Sequence, residues 1–193
     1  MALHMPPLET DRLVVRPFAL DDLDPLFQIL DVELADAHTG AEHAESKEQR
    51  AGWLRWSVAN YEQLAFMYQF PFGDRAVALR ETGELIGVVG YTPAFMPYGR
   101  IPGLSPAPVG RSSMEVGLFW ATSPRHQGRG YAAEAGRALV DYAFGQLGLW
   151  RIVATTEHAN HASQRVMEKI GMALHRNPGP EPAYFQVVGV LEA

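Results

Sequence analysis

The sequence predicts an α/β (α+β) protein, a mixed sheet with helices packed on it. Two observations carry that class. Strand-like and helix-like segments alternate along the chain in the order β-α-α-β-β-loop-β-α-β-α-β-β. The 193 residues, 47% hydrophobic and 20% charged, have ordinary globular composition and suffice for one domain with a sizeable core. Residues 1–193 therefore read as a single domain, with no internal repeat, linker or low-complexity segment.

TDRLVVRPF alternates and is rich in β-formers, which predicts a first strand over Arg12–Arg16. Asp21 or Asp22 starts a helix through Leu23, Leu26, Phe27 and Leu30. After the polar stretch DAHTGAEHAES, KEQRAGWLRWSVANYEQLAF puts Ala51, Leu54, Val58, Tyr61 and Ala65 on one helical stripe. Thr82-Gly83 is the expected hairpin turn between strands Ala76–Arg80 and Leu85–Tyr91.

PAFMPYGRIPGLSPAPVGRSS has five prolines and three glycines, too broken for a helix or a central strand. A loop of that length in a compact domain suggests a lid over Pro93–Pro108. Met114–Trp120 is a buried-type strand. A helix of about Tyr131–Leu147 follows and ends at Gly148. Trp150–Glu157 is the next strand. NHASQRVMEKIGM is a helix with Asn160 as N-cap and Gly171 beyond its end, and MALHR and AYFQVVGVL close the sheet as a strand pair.

The formal net charge of −6 argues against general binding to nucleic acid or to an acidic membrane face. The absence of cysteine excludes disulfides, thiolate metal sites and cysteine nucleophiles. MALHMPPLETDR has no signal-peptide pattern, and no apolar run approaches the ~18 residues of a membrane helix, so a soluble cytoplasmic protein is the expectation. His158 and His161 are one turn apart at a loop edge, which is thin support for a metal, and none is expected.

The informative stretch is TSPRHQGRGYAAEA, residues 122–135. A strand, a short loop with two glycines and then a helix make an anion site. The first N–H groups of a helix lack internal acceptors, its dipole adds about half a positive charge, and glycine lets an anion approach the backbone. Arg125, His126 and Arg129 add side-chain charge, so a phosphate or diphosphate is the expected ligand. The plainer reading is a strand-to-helix turn with solvated arginines. The P-loop pattern is absent. Gly128-Arg129-Gly130-Tyr131-Ala132-Ala133 does fit the dinucleotide pattern G-x-G-x-x-A, but a loop with Ser123-Pro124 separates it from its strand. Asp141 and Glu157 are both misplaced for the ribose acid.

Gln127-Gly128-Arg129-Gly130-Tyr131-Ala132 matches the Q/R-x-x-G-x-G/A signature of the GNAT superfamily of N-acetyltransferases. LETDRLVVRPF, MEVGLFW, GRGYAAEA and NHASQRVMEKIGM, in that order, resemble its RimJ/RimL-like branch, whose members acetylate ribosomal-protein N-termini. The resemblance covers nearly the whole chain. It implies a mostly antiparallel sheet of about seven strands, splayed between the fourth and fifth, with helices on both faces. It also implies acetyl-CoA as cosubstrate, no metal, and an amine acceptor, either a protein N-terminus or a small molecule. Homodimers are common in that family.

By the same resemblance the backbone of His126, Gln127, Gly128, Arg129, Gly130, Tyr131 and Ala132 holds the diphosphate, pantetheine pairs near Trp120, Ala121 and Thr122, and Asn160 touches the pantetheine. Asn160 is equally a plain N-cap.

The implied chemistry needs a base, because an amine near pH 7 is mostly protonated. Glu115 is the candidate: it is the only carboxylate in MEVGLFWATSP, and partial burial raises a carboxyl pKa. It is otherwise a solvated or ion-paired strand residue. A backbone N–H near Phe119–Ala121 would meet the oxyanion. Many family members carry a tyrosine as acid where this chain has Met167. Ser163 matches a serine given that role in the RimL-like branch, or it simply packs. Trp53, Trp56 and Tyr61 are core or line an acceptor cleft, and a helical stripe favours core. A silent acyl-CoA-binding module and a dinucleotide-dependent oxidoreductase remain as alternatives at this point.

Overall fold

The structure, a computed structural model, describes residues 4–37, 43–104, 108–179 and 181–193. Eight strands form one sheet: β1 (Leu8–Glu9), β2 (Leu13–Arg16), β3 (Gly73–Leu79), β4 (Leu85–Met96), β5 (Ser113–Thr122), β6 (Arg151–Thr156), β7 (Ala173–Arg176) and β8 (Val187–Glu192). Their order is β1-β2-β3-β4-β5-β6-β8-β7. Helix α1 (Leu23–Phe27) continues as a π-helical turn over Gln28–Glu33. Helices α2 (Lys47–Phe66), α3 (Tyr131–Gly145) and α4 (His161–Ile170) complete the elements. No described helix is long and apolar enough to cross a membrane. The chain divides into two compact units, 4–91 with 119–139 and 92–118 with 140–193, and the divisions fall inside β4, β5 and α3.

In the first unit, β2, β3 and β4 are antiparallel neighbours with registers Arg16↔Ala76 and Ala76↔Val88. Successive side chains on a strand face opposite ways. Ala76 and Val88 accordingly pack with Phe18, Leu26, Ile29 and Leu54 of the α1 and α2 side. Tyr91, three positions after Val88 and so on the other face, donates its hydroxyl to the Leu139 carbonyl of α3 at 2.6 Å. Helices therefore cover both faces here. Ser46 caps α2 by accepting from the Gln49 N–H, which makes the helix begin at Lys47. Of the stripe read from sequence, Leu54 and Ala65 are buried while Ala51, Val58 and Tyr61 are half-buried. Trp53 packs edge-on against Phe18, Tyr61 gives its hydroxyl to the Asp74 carbonyl, and Trp56 is exposed.

The second unit builds its core from Ala94, Tyr98, Ile101, Leu104, Val153, Phe185, Val188 and Val190. On the other face of β8, Gly189 leaves room for α4: a Cβ there would lie 3.0 Å from the Met167 sulfur and 2.9 Å from that of Met172. Met167, standing where many relatives carry a tyrosine, is a fully buried core residue. The strands β5 and β6 run parallel and pair at Gly117↔Val153, whereas β6 and β8 pair at six positions. A ladder of one pair is what a splay leaves. These are the fourth and fifth strands of the sequence reading, renumbered because Leu8–Glu9 adds a short strand before them.

The structure corrects several expectations. The hairpin turn is longer than two residues, spanning 80–84 between Leu79 and Leu85, with Gly83 at φ 75° and its N–H on the Leu79 carbonyl. The first helix switches from 3-10 to α to π winding between Leu20 and Glu33. The third long helix ends at Gly145, and Gly148 (φ 65°) lies beyond it. The proline-rich segment is not a free lid. Strand β4 runs through Pro93 to Met96, a tolerable place because pairing with β3 stops at Gly73↔Tyr91 and the missing N–H interrupts no ladder there. A helical turn, Tyr98–Arg100, follows, and Tyr98, Ile101 and Leu104 are buried. Residues 105–107 of that reading lie outside the described residues, as do 38–42 of the polar stretch.

Candidate functional site

The anion-site expectation rests on main-chain geometry at the head of α3. Ser123, fully buried, anchors the loop: its N–H donates to the Ile86 carbonyl at 2.9 Å and its hydroxyl to Glu33. Pro124–His126 forms a helical turn, and the Gln127 side chain donates back to the Thr122 carbonyl at 2.9 Å. Gly128 and Gly130 then take φ 75° and 85°, the left-handed region that glycine adopts without a Cβ penalty. A Cβ on Gly128 would meet nothing within 4 Å. Among the described residues, the N–H groups of Gly128, Arg129, Gly130, Tyr131 and Ala132 have no protein acceptor. Five free donors around two open glycines fit a diphosphate.

The side chains divide differently from the sequence reading. Arg125 pairs with Glu33 at 3.0 Å, and His126 is buried with Nε2 3.2 Å from Glu84. Arg129 is exposed and has no carboxylate partner among the described residues. The loop's positive character thus comes from backbone and Arg129 more than from three cations.

The Ser123-to-Ile86 bond also sets Thr122 opposite Gly87, where a Cβ would strike the Ala121 carbonyl oxygen. Antiparallel alternation then turns the N–H and C=O of Phe119 and Ala121 towards β4 and those of Trp120 and Thr122 away from it. The backbone of Trp120 and the Thr122 N–H are what this edge has to offer a ligand, the Thr122 carbonyl being taken by Gln127.

Sequence reasoning missed a latch on this loop. Glu134, in the first turn of α3, accepts from the Thr10 hydroxyl (2.6 Å), the Arg12 N–H (3.0 Å) and the Arg12 Nε (2.7 Å), and it lies 2.6 Å from Arg12 Nη2. Arg12 Nη1 donates to the Arg129 carbonyl at 3.1 Å, and its guanidinium stacks 4.5 Å from the Tyr131 ring centroid. Burial alone would raise the Glu134 pKa, but the bonds from Thr10 and Arg12 outweigh it and hold the carboxyl below its usual range. A signal was present: Glu134 stands in the first turn of α3, next to the glycine loop, where a carboxylate would oppose the anion expected from sequence unless a cation offset it.

In the second unit, Glu115 stands on β5 and Arg151 opens β6. The parallel pair Gly117↔Val153 places them side by side, two residues back on each strand. Arg151 Nη2 is 3.7 Å from Glu115 Oε1 and donates to the Leu104 carbonyl at 3.0 Å, while its Nε is buried without a hydrogen-bond partner among the described residues. Glu115 is thus partly buried and ion-paired. Tyr98 is fully buried nearby: burial first, then the Glu115 charge, pushes its hydroxyl well above the usual tyrosine pKa. Strand register reveals the Glu115–Arg151 pair.

Asn160 caps α4, accepting from the Ser163 N–H at 3.0 Å, which leaves its amide NH₂ as a donor. Ser163 is half-buried in the same turn. His158 takes a contact from Arg176 at 3.1 Å, and no group of three or more metal-binding side chains occurs among the described residues.

One further acid is perturbed. Asp74, on β3 opposite Gly90, is pushed up to about 6 by burial, against the opposing charge of Arg50. A carboxyl whose pKa is higher folded than unfolded favours the fold below its unfolded pKa and loses that contribution as pH rises to about 6. Asp74→Asn is expected to raise Tm over the native chain at pH 8 and to change it little at pH 4. Melting curves at both pH values check this, and an equal shift at both rejects it.

The acetyltransferase (GNAT) domain family matches residues 12–173. The uncharacterized N-acetyltransferase YoaA of Bacillus subtilis (strain 168) is 30% identical over 167 residues, 86% of this chain and 82% of that protein. An acetyltransferase crystal structure from Agrobacterium tumefaciens str. C58 superposes with TM-score 0.71 at 27% identity, over 100% of this chain and 98% of the other. RimL, a ribosomal L7/L12 α-N-protein acetyltransferase solved in complex with coenzyme A, shares the fold at TM-score 0.66 and 12% identity, over 95% of each chain.

Proposed function

This chain belongs to the GNAT family of acetyl-CoA-dependent acetyltransferases, and on that premise we propose that it N-acetylates an amine by direct attack within a ternary complex. The carrying observation is the row of unclaimed N–H donors from Gly128 to Ala132, with both glycines at positive φ. They would grip the diphosphate of acetyl-CoA, with Arg129 as the free cation beside it. The backbone of Trp120 and the N–H of Thr122, on the edge turned away from β4, would pair with the pantetheine, and the Asn160 amide would donate to it.

In the proposed reaction Glu115 takes a proton from the acceptor amine, directly or through water. The amine nitrogen forms a C–N bond to the acetyl carbon, and the C–S bond breaks to release the coenzyme thiolate. The Trp120 N–H is the donor available to the oxyanion, since those of Phe119 and Ala121 turn to β4. Ser163 would hydrogen-bond the departing sulfur or relay a solvent proton to it, because a hydroxyl is a poor acid alone. The acceptor is a protein N-terminus or a small primary amine. The −6 charge favours cationic ones, and a cytoplasmic setting suits the cosubstrate. Residues 1–193 then act as one catalytic domain, a reading supported by a family match that runs through both units.

Thermal shift with acetyl-CoA, CoA, NAD and ATP is the first test: the two coenzyme A species are expected to raise Tm, and NAD and ATP to leave it unchanged. At 100 times Kd a ligand adds about 2.7 kcal/mol of stability, enough to see easily. Protection by NAD instead would overturn the reading. Thiol release over an amine panel then separates an active transferase from a module that binds and does not turn over.

A further inference from the structure

We propose that Arg12 is a positioning residue for the diphosphate loop: it neutralises Glu134 and fixes the main chain from Arg129 to Tyr131, so that the head of α3 can accept an anion. This rests on the acetyl-CoA reading above and adds a residue from the far N-terminal end of the chain to it.

The argument begins with a conflict of charge. A carboxylate in the first turn is normally favourable, because it compensates the positive end of the helix dipole. Here that positive end is needed by the ligand. Left bare, Glu134 would satisfy the dipole itself and repel a diphosphate arriving one turn away. The latch removes the conflict. Both Glu134 oxygens are taken, Oε1 by the Thr10 hydroxyl and the Arg12 N–H and Oε2 by the Arg12 Nε and Nη2. The carboxylate charge is matched by one guanidinium.

The same guanidinium does a second task. Its remaining nitrogen, Nη1, donates to the Arg129 carbonyl, between the two positive-φ glycines. It also covers the Tyr131 ring. Holding that carbonyl turns the adjoining peptide so that its N–H faces the other way, to the open side. Gly130 fits the arrangement through its φ of 85°, and Arg12 Nη2 lies in van der Waals range, 3.5 Å from where its Cβ would be. A lysine could supply the charge but not the fork that reaches both Glu134 and Arg129.

The test is a double-mutant cycle on the full chain, read by calorimetric Kd for CoA, with Tm confirming folding. Arg12→Met should weaken CoA binding ~10–100-fold, since it leaves a naked carboxylate beside the diphosphate, each factor of ten being about 1.4 kcal/mol. Glu134→Gln alone should cost only ~2–5-fold, and the double variant should bind better than Arg12→Met, because both charges are gone. Arg12→Lys, which keeps the charge and is the safer variant to fold, should fall between native and Arg12→Met. In turnover, KM for acetyl-CoA should rise while kcat stays within about threefold, and turnover of S-acetylpantetheine, which has no diphosphate, should not change. A double variant no better than Arg12→Met, or Arg12→Met and Arg12→Lys both binding CoA as the native chain does, overturns the proposal while leaving the acetyl-CoA reading intact. Native protein that fails to bind CoA overturns both.

Discussion

Glu115→Gln is expected to lower kcat by ~10²–10⁴-fold, the range a positioned general base contributes, while acetyl-CoA Kd stays within about twofold. Glutamine keeps the shape and a hydrogen-bond acceptor but cannot take the amine proton. The loss should therefore appear in the chemical step, leaving thioester binding alone. The setting makes the test sharp. Glu115 is ion-paired to Arg151 at 3.7 Å and its neighbour Tyr98 is fully buried, so a neutral residue there also leaves Arg151 short of its counter-charge. Melting temperature must be followed beside kcat for that reason. A variant that folds, binds acetyl-CoA and turns over at the native rate removes Glu115 as base and leaves it as half of a structural ion pair.

Gly130→Val is expected to weaken acetyl-CoA binding by ~10²–10³-fold. Two effects add. Gly130 sits at φ 85°, where a β-carbon costs roughly 1–2 kcal/mol and a branched side chain more. The relaxed loop no longer aims its N–H groups outward, and each charge-assisted bond lost is worth ~1.5–3 kcal/mol. The new Cβ would only reach van der Waals contact with Arg12 Nη2, at 3.5 Å, so the loss comes from the backbone and not from a clash. Gly128→Ala isolates the first effect, because its Cβ would meet nothing within 4 Å. It should cost less than Gly130→Val. Calorimetry with acetyl-CoA checks both, and native affinity in Gly130→Val would mean that the diphosphate does not bind at this loop.

Much of this architecture was legible from local pattern. The order of strands and helices, the Asn160 cap with Gly171 at φ 93° after α4, and the glycine loop ahead of α3 are all written in a few consecutive residues, because caps, turns and periodicity are short-range physics. The proline-rich segment misled for a related reason. Proline forbids a central ladder position, but only where a ladder exists, and Pro93 falls just past the last β3 partner. The three basic residues of the loop misled too. Charge can be counted from sequence, whereas the carboxylates that claim it, Glu33 for Arg125 and Glu84 for His126, lie 92 and 42 positions away along the chain.

The sequence by itself determined the family, the glycine loop ahead of α3 and a single carboxylate on the strand leading to it. Those follow from residue type and spacing over a dozen positions at a time. Only the tertiary structure decided which backbone groups remain free, that Glu115 lies beside Arg151, and that Glu134 is bonded by Arg12. Each of these depends on strand register or on two segments more than 30 residues apart meeting at hydrogen-bond or ion-pair distance. Such meetings are fixed by packing, and a short stretch of residues does not name the partner.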